Sequence, residues 1–267
     1  MKTDIRMTRE ELRKMSSTID DLMDIGKREE AELLLDEALR ATAGDRAYIL
    51  FFQAEAALYI DKDHRTRERL LLEGVQEAPE DVFLLRNLGG GYLMDEKYHK
   101  AHRILEKAWQ VDPRDADTLR DLGLLSSAKG RESRAMDWFK KAIAVKPDDY
   151  DSMRQIGICY SKLGRDEEAN NWYRQALACY PRDYDAMRQM GVSHAMLGDY
   201  VTAIEWLNHA IEINPGDRDS RHNLHLVEQK KSGKNVTFLD KIMIRIFRRL
   251  TLTWRRLIDR LDQPETR

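Results

Sequence analysis

The fold class that this sequence predicts is an all-α solenoid, and three observations predict it. The chain repeats itself: residues 150–183 read YDSMRQIGICYSKLGRDEEANNWYRQALACYPRD, and the next 34 residues open YDAMRQMGVSHAMLGDYVTA. The same frame steps upstream, so that Pro79, Pro113, Pro147, Pro181 and Pro215 share one repeat position. Small residues recur in register, with Gly89, Gly123, Gly157 and Gly191 in one helical run and Ala101, Ala135, Ala169 and Ala203 in the next. A glycine inside a helix costs about 1 kcal/mol against alanine, so a register of them needs a packing reason, the close approach of two backbones. A fixed period of this size with helical patterning inside it marks units that cannot bury their apolar faces alone and therefore stack.

Each element follows from local signals. Residues 8–47 are read as a degenerate first repeat. Thr8 with Glu11 resembles a capping box, and Leu12, Met15, Ile19, Leu22 and Met23 make one apolar face. Gly26 breaks that helix, and Ala31, Leu34, Leu35, Ala38 and Leu39 continue in a second. Repeats are then expected at 48–81, 82–115, 116–149, 150–183 and 184–217. In the fourth of these, Met153, Ile156, Gly157 and Tyr160 lie at helical spacing, Gly164 ends the run, and Ala169, Tyr173, Ala176 and Leu177 form the face of a second helix that stops before Pro181. Arg67 takes the place of the usual small alanine in 48–81, where close packing is not expected. Gly89-Gly90-Gly91 admits two readings, one packing glycine with two tolerated neighbours or a point where the array bends or a ligand reaches backbone. A capping helix at 218–231, a linker at 232–237 and a helix at 238–262 complete the chain.

Leu122-Gly123, Ala135, Phe139, Ala142 and Pro147, with their equivalents one period either way, resemble the tetratricopeptide repeat. The resemblance covers residues 48–217 and implies a right-handed superhelix of about six helix-turn-helix units whose first helices line a concave groove for peptides or partner proteins. The family is defined by packing positions, so the resemblance implies no particular partner.

Composition excludes several classes. The 267 residues are 42% hydrophobic and 34% charged, a balance that a one-dimensional array tolerates and a disordered chain does not reach. Cys159 and Cys179 form no disulfide framework, sit at apolar helix positions and read as buried thiols of a reducing compartment. The start, MKTDIRMTREELRK, lacks the apolar core of a signal peptide, so a cytoplasmic location is expected. Residues 1–233 carry 36 basic and 43 acidic side chains, which argues against nucleic acid as a partner. His99 with His102, and His222 with His225, lack a third metal ligand, and no phosphate-binding loop is present. No catalytic residue, metal or cofactor is expected.

The candidate binding residues lie on the first helices. Arg86, Arg120, Arg154 and Arg188 recur once per repeat, beside Asn87, Asp121, Gln155, Gln189 and Asn223. The family resemblance turns this position to the groove. Guanidinium forks bind carboxylates bidentately and amides hydrogen-bond an extended backbone, so a polar or acidic peptide is the expected ligand. The competing reading is structural, because Asp117, Asp151 and Asp185 each stand three residues before an arginine and can pair with it.

Residues 234–267 hold 9 basic and 4 acidic side chains. On a helical projection Leu239, Ile242, Met243, Ile246, Phe247, Leu250, Trp254, Leu257, Ile258 and Leu261 form a stripe, opposite Lys241, Arg245, Arg248, Arg249, Arg255, Arg256 and Arg260. So many arginines exclude a spanning helix. The segment is expected to lie on an anionic membrane, to bind a partner helix or to fold back on the acidic array. Two functions therefore compete: a non-enzymatic interaction scaffold or chaperone, and a membrane-surface organiser, anchored through residues 238–262, that recruits or self-assembles.

Overall fold

The computed structural model describes residues 7–24, 26–42 and 44–233, and every regular element among them is an α-helix. In order these are α1 (Arg9–Asp24), α2 (Arg28–Ala41), α3 (Arg46–Tyr59), α4 (His64–Glu77), α5 (Val82–Met94), α6 (Tyr98–Val111), α7 (Ala116–Ala128), α8 (Glu132–Val145), α9 (Tyr150–Lys162), α10 (Asp166–Cys179), α11 (Tyr184–Met196), α12 (Tyr200–Ile213) and α13 (Arg218–Lys231). The first of two compact units ends at Leu125 and the second begins at Ser126. The expected helix at 238–262 lies outside the described residues.

Helix starts and stops follow their local chemistry. Thr8 and Glu11 close the capping box at α1, the Thr8 amide donating to Glu11 Oε2 at 2.7 Å and the Glu11 amide to Thr8 Oγ1 at 3.3 Å. Asp81, Asp183 and Asp217 cap α5, α11 and α13, accepting from the amides of Leu84, Ala186 and Ser220 at 3.2, 3.0 and 3.1 Å. The second unit ends its first helices with glycines at positive φ, Gly164 at 77° and Gly198 at 86°. In the first unit Lys62 and Glu96 occupy the left-handed region at 57° and 59°, a conformation that a Cβ disfavours.

The second unit packs as the small-residue register requires. Ala169, Ala176, Ala203 and Ala210 are fully buried, and Gly157 lets the Tyr173 ring lie directly against α9. A Cβ on Gly191 would come within 2.6 Å of Leu207 Cγ and 3.0 Å of the Ala203 carbonyl. Cys159 is buried, but Cys179 is exposed, contrary to the expectation of two buried thiols, because it is the last residue of α10.

In the first unit an aromatic cluster joins α3 and α5. Phe51 meets Phe52 and Phe83 edge-on, at 5.0 and 4.8 Å between centroids, and Tyr48 stacks on Phe83 at 5.8 Å. Two of the three consecutive glycines have packing reasons: a Cβ on Gly89 would meet Leu105 at 2.6 Å, and one on Gly91 would meet Arg67 Nη1 at 2.7 Å. Only Gly90 faces open space. Arg67 is itself buried, paired with Glu55.

Candidate functional site

In the second unit the predicted arginines are ion-paired to two carboxylates at Arg154 and three at Arg188. On α9, Arg154 Nη2 donates to Asp151 Oδ1 at 2.6 Å and Nη1 to Asp183 Oδ2 at 2.7 Å, and Asp183 caps α11. On α11, Arg188 lies 2.5 Å from Asp185, 3.2 Å from Asp217 at the cap of α13, and 3.5 Å from Asp219. Each guanidinium thus ties its own helix to the start of the next first helix. Burial works against the charge of Arg154, but Asp183 and Asp151 outweigh it and hold the group above its ordinary range. Burial likewise raises the Asp183 carboxyl, and Arg154 opposes the rise. The Arg154 side chain keeps 16% of its exposure and Asp183 keeps 3%. The i, i+3 pairing legible in the sequence is therefore half of the arrangement. The other half comes from 29 residues downstream, across a repeat boundary.

The amides beside these arginines stand differently. Gln155 on α9, Gln189 on α11 and Asn223 on α13 are partly exposed, and among the described residues none of the three side chains joins a hydrogen bond. Their donors and acceptors remain available on one register of first helices.

In the first unit Arg120 donates to Asp117 at 2.6 Å. Arg86 has a phenylalanine three residues before it instead of an aspartate, and its guanidinium lies over that Phe83 ring, 5.5 Å from the centroid. Among the described residues it joins no hydrogen bond or ion pair. Asn87 donates to the Phe83 carbonyl at 2.8 Å, one turn back on its own helix. Burial pushes the Asp121 carboxyl up to about 6, with Arg86 and Arg120 opposing.

A charged knot in this unit was not read from the sequence. Asp81, the cap of α5, receives Arg9 Nη1 at 3.0 Å and Arg13 Nη2 at 3.1 Å, both from α1. The Tyr48 hydroxyl accepts from Arg13 Nε at 2.7 Å and reaches Asp81 at 3.3 Å, and burial with the Asp81 charge pushes it up to about 12. The available signal was Phe52, which stands at the arginine position of its repeat and leaves Asp81 to be neutralised from another helix.

His102 Nδ1 lies 3.4 Å from Glu106 and His225 Nε2 lies 2.7 Å from Gln229 Nε2. Among the described residues no three His, Cys, Asp or Glu side chains are grouped to hold a metal, and no helix is long and apolar enough to cross a membrane. Phe247, Trp254, Arg245, Arg248, Arg249, Arg255 and Arg256 lie outside the described residues.

Two family profiles, both described as tetratricopeptide repeat, match the chain over residues 92–155 and 155–218. The chain is a tetratricopeptide repeat protein. Solved structures with this repeat architecture resemble it. A thermophilic tetratricopeptide repeat protein of Thermus thermophilus is 20% identical, with a TM-score of 0.60 over 68% of this chain and 98% of the other. Pseudomonas aeruginosa pilF is 16% identical, with a TM-score of 0.56 over 80% and 97%. A chain of the APC/C hetero-tetramer Cut9–Hcn1 is 16% identical, with a TM-score of 0.63 over 81% of this chain but only 46% of that one. At these identities the likeness is one of fold. No curated protein sequence is a significant match to this tetratricopeptide repeat protein. Proteins of the family generally mediate protein–protein interactions and are generally non-catalytic scaffolds.

Proposed function

We propose that this tetratricopeptide repeat protein is a non-enzymatic interaction scaffold or chaperone whose first helices in the second unit receive an extended polar segment of a partner protein. The observation that carries this reading is the register of Gln155, Gln189 and Asn223, amides held on packed helices with their hydrogen-bonding capacity unspent among the described residues. An extended peptide supplies donors and acceptors along its whole backbone, so one amide per repeat can hold it without reading its side chains. The arginines support a polar ligand more than an acidic one. Arg154 and Arg188 are already offset by Asp151, Asp183, Asp185, Asp217 and Asp219. The test is fluorescence anisotropy with a panel of unstructured neutral, acidic and basic peptides. Neutral polar peptides are expected to bind best, and Gln155→Ala, Gln189→Ala and Asn223→Ala together are expected to abolish binding without moving the melting temperature. Binding that survives the triple replacement would move the site elsewhere.

A second reading rests on residues 238–262, whose sequence alternates a wide apolar stripe with Arg245, Arg248, Arg249, Arg255 and Arg256 around Phe247 and Trp254. In it the segment holds the protein at the inner face of an anionic membrane, where the repeats recruit partners or self-associate; each basic residue there contributes on the order of 1 kcal/mol. Sedimentation with anionic liposomes separates the readings. Full-length protein that stays in the supernatant at low salt, while a chain ending at Gly233 behaves identically, leaves the cytoplasmic scaffold alone.

A further inference from the structure

The second repeat departs from the register at both of its small positions at once. Glu55 on α3 stands one period before Gly89, and Arg67 on α4 one period before Ala101. Where the second unit packs Gly157 against the Tyr173 ring and Gly191 against Leu207 and the Ala203 carbonyl, the first unit places a carboxylate and a guanidinium. Glu55 Oε1 lies 3.5 Å from Arg67 Nη2, and the two side chains keep 6% and 10% of their exposure. The guanidinium fits because α5 offers Gly91 to it. The fit is incomplete, since Glu55 Oε1 and Arg67 Nε find no hydrogen-bond partner among the described residues. A buried polar atom in that condition bears its desolvation cost uncompensated, and a buried ion pair repays its desolvation only when the geometry is good. Around Glu55 stand Asp20 of α1, Tyr59 of α3 itself, whose hydroxyl donates to Asp20, Arg67 of α4 and Arg86 of α5.

We propose that this exchanged pair makes the second repeat a proton-operated seam, in which α3 and α4 hold together while Glu55 carries a proton and loosen as it ionises. The charge of an ionised Glu55 is met by one imperfect ion pair in a packed interior, whereas the protonated acid removes the largest desolvation cost. Burial supports the direction, pushing the group up from 4.5 to about 7 against the pull of Arg67. The folded value lies above the unfolded one. The stability Glu55 contributes is therefore present below pH 4.5 and is lost as the pH rises through about 7. The seam adjoins the first-helix face through Arg86, whose charge also acts on Glu55.

The experiment is hydrogen exchange of the full-length protein at pH 5 and pH 8, expressed as protection factors so that intrinsic exchange is removed. Amides of α3 and α4 are expected to lose about tenfold or more in protection at pH 8, while those of α9 and α10 change little. Glu55→Gln should flatten the pH dependence. Glu55→Gly with Arg67→Ala restores the small pair of the other repeats and should flatten it too, which keeps the test open if the single variant folds poorly. Wild-type protection that is unchanged between the two pH values, or an equal loss in wild type and in both variants, overturns the proposal.

Discussion

The two units use the same repeat and hold it together by different means. In the second, glycine faces alanine or an aromatic ring, and Arg154 and Arg188 each tie one first helix to the cap of the next. In the first, the arginine position of α3 is Phe52, the cap of α5 is neutralised by Arg9 and Arg13 from α1, and Glu55 with Arg67 fills the small-residue contact. A stacked array needs each interface filled and each buried charge matched, but it does not dictate which residue does either. Regularity in the second unit is thus one solution among several, and departures in the first come in compensating sets.

The contrast is sharpest at the glycines. Gly157→Val puts branched carbon where the fully buried Tyr173 ring lies, and no flexible end can yield. We expect a loss of about 3–5 kcal/mol in urea unfolding of the second unit. Gly91→Ala presses chiefly on the Nη1 end of the buried Arg67 side chain, a flexible group and not a ring, so its cost should be smaller. Equal losses for the two would show that the first unit is as tightly keyed as the second.

The arginines come next. Arg154→Ala leaves Asp183 buried without its partner, an expected cost of about 2–4 kcal/mol, whereas Arg86→Ala removes a cation–π contact with Phe83 worth about 0.5–1 kcal/mol. Chemical denaturation of both single variants measures the difference, and an Arg154→Ala variant as stable as wild type would return that side chain to an exposed role. At the turns, Glu96→Gly should stabilise the first unit by up to about 1 kcal/mol by relieving a left-handed residue, visible as a higher melting temperature; an unchanged or lower value would mean that Glu96 is held there without strain. The smallest effect concerns reactivity. A thiol probe should label Cys179 in native protein without loss of helix and reach Cys159, whose thiol burial pushes up, only after unfolding. Native labelling at both positions would contradict the packing of α9.

Much of the fold was legible because each signal is local. Pro181, Gly164 and the spacing of Ala169, Tyr173 and Ala176 act through the backbone of one or two turns, and the resulting period needs no partner to be seen. The arginine register was legible as a pattern, but its exposure was not, because the Asp183 that buries Arg154 belongs to the next repeat. Glu55 gives no local signal, although it lies one period before Gly89, since a glutamate in a helix breaks no local rule.

By itself the sequence determined the all-α repeat, its helix starts and stops, and the positions where backbones must approach, all of which depend on propensity and spacing along the chain. Tertiary structure alone decided which charges are spent and which are free. Arg154 and Arg188 are locked, Arg86 is stacked on Phe83, and the amides of Gln155, Gln189 and Asn223 are left open among the described residues. The physical reason is that a charge is neutralised by whatever group lies within a few ångströms in space. In a stacked array that group is often about a full repeat away in sequence.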